Sequence, residues 1–120
     1  MAILLPLSFS IFHHLSLLLY NSNWVINMKR VKVKFFADLR SLAKREFLEL
    51  EIEGAITLRE LLKRVSSEIG INLEEKLLEN NRIKSGFMIL INGRNAVYLD
   101  GVSTLIEEGE IALFPPAGGG

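Results

Sequence analysis

Apolar and charged residues alternate over the first charged stretch of the chain. Val31, Val33 and Phe35 take the odd positions, and Lys32 and Lys34 stand between them. A period of two is typical of a strand that buries one face. The sequence therefore predicts a first strand here, with a solvated lysine face.

A second alternating run covers residues 47–53, with leucine and isoleucine on one face and glutamate on the other. We expect these two strands to be neighbours, because the lysine row of the first then faces the glutamate row of the second. Between them, Asp38 is expected to cap a short helix that begins at Leu39. This helix would carry Leu42 and Ala43 inward.

The clearest helix start lies at Thr57. Its hydroxyl suits an N-cap, and Glu60 three residues later completes a capping box. Gly70 suits a left-handed end of the same helix. One apolar stripe at helical spacing runs along it, formed by Leu58, Leu61, Leu62, Val65 and Ile69.

The next part of the chain predicts a shorter helix from Asn72 to about Asn80 and a strand over residues 87–91. That strand is almost entirely apolar, as expected for a strand buried on both faces. The Asn-Gly pair at residues 92–93 is a strong hairpin signal. Residues 96–98 are expected to form the short return strand.

Glu108 and Gly109 indicate a turn into a last strand over residues 111–114. One long helix then packs on one face of a mixed sheet. The sequence predicts an α+β fold of this kind, a ubiquitin-like or β-grasp roll. In such a roll the first and last strands pair in parallel as central neighbours.

Charged side chains occur only between Lys29 and Glu110. The predicted domain therefore covers residues 28–114, and the uncharged residues 1–27 lie outside it. Three interpretations of this segment stay open: an artefactual extension before a true start at Met28, which is favoured, a membrane or interfacial anchor, and a docking segment.

Composition excludes several classes of function. The net charge is zero with both signs interspersed, so we expect no nucleic-acid partner. The chain has no cysteine, and its two histidines, His13 and His14, lie in the uncharged segment. Disulfides, zinc–thiolate sites and thiol catalysis are therefore excluded. We expect a cytoplasmic protein with no metal site and no bound cofactor, and no membrane contact unless residues 1–27 are real.

The chain ends with the sequence FPPAGGG. Glycine has no Cβ, so such a tail can pass through a narrow channel and present a sterically bare carboxylate at Gly120. Proline has a fixed φ and favours an extended spacer. The predicted reactive tail consists of Pro115, Pro116, Ala117, Gly118, Gly119 and Gly120.

Three stretches together resemble one known family, the small subunit of molybdopterin synthase, which is a sulfur-carrier branch of the ubiquitin-like proteins. They are residues 31–40 (VKVKFFADLR), residues 57–62 (TLRELL) and residues 108–116 (EGEIALFPP), the last followed by terminal glycines. The resemblance covers residues 28–120. The chain departs from the family pattern at Gly118, where other residues are usual.

The resemblance implies that a ubiquitin-activating-type adenylyltransferase uses ATP to adenylate the Gly120 carboxylate. A sulfur donor protein then converts the acyl-adenylate into a thiocarboxylate. Inside the large, catalytic synthase subunit, the sulfur passes to a cyclic pterin phosphate during molybdenum or tungsten cofactor biosynthesis. The chain would thus be a carrier subunit and not an enzyme on its own.

The motif match also suggests contacts near the tail. Phe36 and Phe114 are the expected partner-interface residues, with core packing as the alternative role for both. Arg40 and Arg94 are candidates for the rim of that interface.

Other functions stay open at this point. The same tail suits a ubiquitin-like modifier joined to lysines of other proteins through Gly120, and a carrier for thiamin synthesis or tRNA thiolation is a close variant. A β-grasp binding module with a non-reactive end is the third possibility.

Overall fold

The computed structural model describes residues 28–117. The interpretations of residues 1–27, and the roles predicted for Gly118, Gly119 and Gly120, concern residues outside this range and stay predictions. The strands are β1 (Met28–Phe35), β2 (Phe47–Glu53), β3 (Ile56–Thr57), β4 (Leu78–Glu79), β5 (Arg82–Ile83), β6 (Met88–Ile91), β7 (Arg94–Asn95), β8 (Leu105–Ile106) and β9 (Gly109–Phe114). The helices are α1 (Ala37–Ala43), α2 (Leu58–Ile69) and α3 (Leu73–Leu77), with 3-10 turns at Ala96–Tyr98 and Gly101–Ser103.

A five-stranded mixed sheet in the order β2-β1-β9-β6-β7 forms the frame of the domain. At its centre β1 pairs in parallel with β9, with Val33 opposite Ile111 and Phe35 opposite Leu113. The neighbours β2 and β6 are both antiparallel to these central strands. The predicted α+β roll and its central parallel pair are thus confirmed.

The core lies between the inner face of this sheet and α2. Alternate residues of a strand point to one face, so the odd positions of β1 and β9 bury together. The fully buried side chains include Val31, Phe35, Ile52, Leu58, Leu61, Leu62, Ile89, Ile111 and Leu113.

The predicted limits of α2 are confirmed. The Thr57 hydroxyl accepts a hydrogen bond from the Glu60 backbone N–H at 3.1 Å, as an N-cap should. Gly70 is left-handed (φ 77°), and its N–H donates to the Ser66 carbonyl at 2.8 Å. These bonds satisfy backbone groups that the helix itself leaves without partners.

The predicted facing of the basic and acidic rows on β1 and β2 is also confirmed. Lys32 lies opposite Glu49, and Arg30 lies opposite Glu51 with an Nη2–Oε2 distance of 3.3 Å. Both members of this ion pair are more than half exposed, so the pair contributes little to stability. Its main effect is to keep the outer face of these two strands polar.

The prediction for α1 was wrong in its cap and in one buried residue. Phe36 is the N-cap residue, no side chain caps the helix, and Asp38 lies in the first turn, where a carboxylate favours the helix dipole. Because the helix begins at Ala37, its inward positions are Leu39 and Ala43, and Leu42 is 42% exposed.

Two other element limits differ from the prediction. The helix expected to reach Asn80 ends at Leu77, because β4 and β5 form a tight hairpin across Asn80 and Asn81, which have φ of 54° and 63°. Asparagine tolerates this left-handed conformation. After the Asn-Gly turn, the return strand is β7, and residues 96–98 form a 3-10 turn that begins where the Asn95 side chain accepts from the Val97 N–H at 3.1 Å.

The expectation that residues 87–91 are buried on both faces was also wrong. Ile89 and Ile91 are buried in the core, whereas Met88 and Leu90 on the other face are only half-buried. An apolar strip is therefore left on the outside of the sheet.

Within residues 28–117, none of the helices has the length and apolar character needed to cross a membrane.

Gly109, which lies opposite Val31 at the start of β9, should tolerate substitution poorly. It has φ of 114°, and a Cβ there would overlap the Asn92 carboxamide, which accepts from the Glu110 N–H at 2.8 Å and donates to the Glu108 carbonyl at 3.2 Å. We expect Gly109→Ala to lower the free energy of unfolding by about 2–3 kcal/mol, measured by urea denaturation.

The matched control is Gly54→Ala, because Gly54 also has a positive φ (68°) but has no atom within 4 Å of the added Cβ. Gly54→Ala should lower the free energy of unfolding by only about 1 kcal/mol, because it adds backbone strain without a steric overlap. Equal losses in the two variants would contradict a role for the Asn92 contact.

Candidate functional site

Two phenylalanines stack on the outer face of the sheet, where β9 ends and the tail begins. The ring centroids of Phe36 and Phe114 lie 4.3 Å apart, and the ring planes differ by 8°. Both side chains are half-buried. The structure therefore brings together the two residues predicted as partner contacts, and it places them on the outer face and not in the core.

Strand pairing adds more apolar residues to this face. Met88 lies opposite Phe114, and Leu90 lies opposite Ala112. Ala112 in turn lies opposite Lys34, which lies opposite Phe47 on β2. Cross-strand partners point to the same face. We call the resulting surface the tail-side patch; its apolar members are Phe36, Phe47, Met88, Leu90, Ala112 and Phe114. Lys34, which pairs with Glu110 at 3.4 Å, lies between Phe47 and the other members.

The sequence pattern does not reveal Phe47, Met88, Leu90 or Ala112, because they become neighbours of Phe36 and Phe114 only through the strand register. One signal was present, however. The even positions of residues 87–91 and 111–114 are apolar where a solvated face would carry polar side chains. An outward apolar face shared by two adjacent strands is the sequence mark of such a patch.

Basic side chains line one side of the tail-side patch. The Arg40 guanidinium carbon lies 5.7 Å from the Phe36 ring centroid, and its Nε donates to the Phe35 carbonyl at 3.2 Å. The Lys32 ammonium lies 4.3 Å from the centre of the Phe47 ring. An apolar centre with a charged rim is the usual composition of a protein–protein interface.

Of the two arginines predicted for the rim, only Arg40 is beside the tail-side patch. Arg94 is paired with Ile91 at the end of β6 that is farthest from Phe114. Spacing along the sequence could not separate them, because their positions depend on how β6 and β9 align.

The beginning of the tail is in contact with the domain. Pro115 is half-buried and Pro116 is exposed, and the Pro116 ring lies against Gly86 in the turn before β6. The tail therefore leaves the sheet next to the tail-side patch and in contact with a second element. The position of the two prolines is compatible with the predicted spacer, and the spacer role itself stays a prediction.

The part of the chain from Met28 to Ala117 contains no group of three or more His, Cys, Asp or Glu side chains arranged to hold a metal ion. In the same range, the tail-side patch and the first residues of the tail lie side by side. Such an arrangement can present a terminal carboxylate to the active site of another protein.

Comparison with known proteins identifies the family. The model of the ThiS family matches residues 33–120, and the chain belongs to that family. The resemblance to ubiquitin-like sulfur carriers drawn from the sequence is thereby confirmed.

Individual relatives agree with this assignment. Small archaeal modifier protein 3 of Haloferax volcanii is 29% identical over 91 residues, which cover 75% of this chain and 98% of that protein. A putative sulfur carrier protein of Archaeoglobus fulgidus is 31% identical over 74 residues, covering 60% of this chain and 84% of the relative. The solution structure of small archaeal modifier protein 1 from Methanosarcina acetivorans is 32% identical with a TM-score of 0.61, covering 78% of this chain and 98% of that one.

The Phe36–Phe114 stack should couple the two residues energetically. In a double-mutant cycle of Phe36→Leu and Phe114→Leu, we expect a coupling free energy of about 1 kcal/mol, the usual value for an aromatic pair. The measurement is urea denaturation of the wild-type protein, the two single variants and the double variant.

A second cycle, of Phe36→Leu with Phe47→Leu, serves as the control. Phe47 is on the same face, but its ring is paired with Lys32. The coupling free energy between Phe36 and Phe47 should be close to zero. A value as large as that of the stacked pair would mean that burial of apolar surface, and not ring stacking, gives the coupling.

Proposed function

We propose that this ThiS-family protein carries sulfur on its C-terminal glycine for the synthesis of molybdopterin. The observation that carries the proposal is the position of the tail-side patch, directly beside the strand that leads into the glycine tail. A partner that binds the patch is then in place to receive the tail. The matched ThiS family and the relative named as a putative sulfur carrier support the carrier role.

The chemistry takes place at Gly120 and in the partners. An oxygen of the Gly120 carboxylate attacks the α-phosphorus of ATP in the adenylyltransferase, pyrophosphate leaves, and an acyl-adenylate forms. A sulfur nucleophile at the oxidation level of sulfide, delivered by a donor protein, then attacks the acyl carbon and expels AMP. The product is a thiocarboxylate with one sulfur in place of one oxygen.

The domain contributes binding and orientation to this sequence. The tail-side patch would dock first the adenylyltransferase and then the large synthase subunit, where the thiocarboxylate sulfur passes to the cyclic pterin phosphate. The Phe-Pro-Pro sequence before the glycines favours molybdopterin over other sulfur-carrier pathways. ATP is used by the activating partner, and no cofactor needs to be bound by this chain.

A second candidate function is that of a protein modifier. It is favoured by the two relatives named as small archaeal modifier proteins. In that role the activated Gly120 carbonyl is attacked by a lysine amine, and an isopeptide bond replaces the bond to AMP. Activation of the tail is the same in both functions, so the two are compatible within one chain.

The intact mass of the protein purified from its native cells tests the carrier function. We expect a fraction of the molecules to carry one sulfur in place of one oxygen, and this fraction to convert to the alkylated form with iodoacetamide. A variant lacking Gly119 and Gly120 should show neither change and should not restore molybdenum- or tungsten-enzyme activity in cells that lack the protein. Full restoration by that variant would exclude a reactive tail.

The modifier function has a separate readout in the same cells. Covalent conjugates that carry the Gly120 carbonyl on lysine would establish it. Conjugates without any thiocarboxylate would make the modifier role the function of this chain.

Substitution in the tail-side patch tests docking. Phe36→Arg should raise the dissociation constant for the large synthase subunit at least about tenfold, because it puts a charge at the centre of an apolar interface. Tyr98→Arg is the control, since Tyr98 is an aromatic residue that is 84% exposed outside the patch. Titration calorimetry should show wild-type affinity for the control, and equal weakening by both variants would contradict the assigned surface.

A further inference from the structure

The turn before β6 contains a glycine in a conformation that other residues avoid. The Phe87 N–H donates to the Lys84 carbonyl at 3.1 Å and closes a four-residue turn. Gly86, its third residue, has φ of +90°. A positive φ at this position is what a type II turn requires, and glycine adopts it without strain.

This turn is fixed to the rest of the domain at both ends. The Lys84 N–H donates to the Leu77 carbonyl at 2.8 Å, and its ammonium donates to the Glu75 carbonyl at 2.9 Å, so the first residue is tied to α3. At the other end Phe87 packs against the core and Met88 begins β6. We call this turn, residues 84–87, the platform; hydrogen bonds hold its first residue and core packing holds its last.

The tail reaches this platform in register with the sheet. Because Met88 lies opposite Phe114 in an antiparallel pair, two further steps along each strand bring Gly86 opposite Pro116. Pro115 and Pro116 have no N–H and cannot extend the hydrogen-bonded ladder. Van der Waals contact takes its place, since a Cβ built on Gly86 would lie 3.0 Å from the Pro116 Cγ and 3.1 Å from its Cβ.

We propose that Gly86 is a positioning residue for the C-terminal tail. Its missing side chain lets the Pro116 ring lie on the platform, which holds Pro115 and Pro116 beside the tail-side patch. A partner thus meets the patch and the tail in one fixed relation, which lowers the ordering cost of binding. The inference rests on the proposed function and deepens it.

The chain offers a matched pair of variants for the test. Gly86→Ala places a methyl group against Pro116 and strains the turn. Gly93→Ala imposes a similar strain, since Gly93 has φ of +85° in the tight turn at the other end of β6, but its added Cβ has no atom within 4 Å. Comparison of the two separates displacement of the tail from loss of turn stability.

The first readout is NMR spectroscopy of the free protein, which needs no partner. The wild-type protein and Gly93→Ala should show nuclear Overhauser contacts between the residue 86 Hα and the Pro116 ring protons. In Gly86→Ala these contacts should be lost, and the heteronuclear Overhauser value of the Ala117 amide should fall. Retention of both signals in Gly86→Ala would overturn the proposal.

The second readout is steady-state adenylation by the activating enzyme, followed as pyrophosphate release. Gly86→Ala should raise the KM for the carrier about tenfold, because the start of the tail no longer has the orientation that the partner binds, while Gly93→Ala stays within about twofold of wild type. Pro116→Gly combined with Gly86→Ala removes both ring atoms that the new methyl meets, Cγ and Cβ. The double variant should therefore recover the KM of Pro116→Gly alone.

Equal KM values for the two glycine variants, or no recovery of the KM in the double variant, would overturn the positioning role of Gly86. If the wild-type protein gives no pyrophosphate release, the proposed function fails, and the NMR comparison alone decides whether Gly86 orients the tail.

Discussion

The parallel pairing of β1 with β9 is the constraint on which the rest of this domain depends. It brings the first and last strands of the described chain side by side in the middle of the sheet. Phe36, just after β1, and Phe114, at the end of β9, can stack only because of this register. The position of the tail follows from the same pairing, since β9 leads directly into Pro115 and Pro116.

The main strands and the long helix could be predicted from the sequence, because their local sequence signals agree with the fold. The alternation in β1 and β2, the N-cap at Thr57 and the left-handed Gly70 each carry a physical preference that acts over a few residues. The pairing of lysine with glutamate rows also follows from simple charge complementarity. The family motif at the C-terminus then placed Phe114 and the prolines beside the candidate surface.

The errors arose where the outcome depends on tertiary contacts. α1 begins at Ala37, two residues earlier than predicted. Leu39 is therefore buried, and Leu42, which was expected to be buried, is exposed. An apolar run cannot reveal by itself whether a second layer covers its outer side, so Met88 and Leu90 were expected to be buried. The positions of Arg40 and Arg94 relative to the tail depend on strand register, which the spacing of residues does not report.

The central place of β9 has a mechanical consequence. Its ladder bonds to β1 and β6 run roughly across the strand axis. A pulling force on the residues that follow Phe114 acts along that axis and strains all of these bonds together in shear. They do not open one after another. A force applied through the C-terminal end of β9 therefore meets two ladders at once, one on each side of the strand.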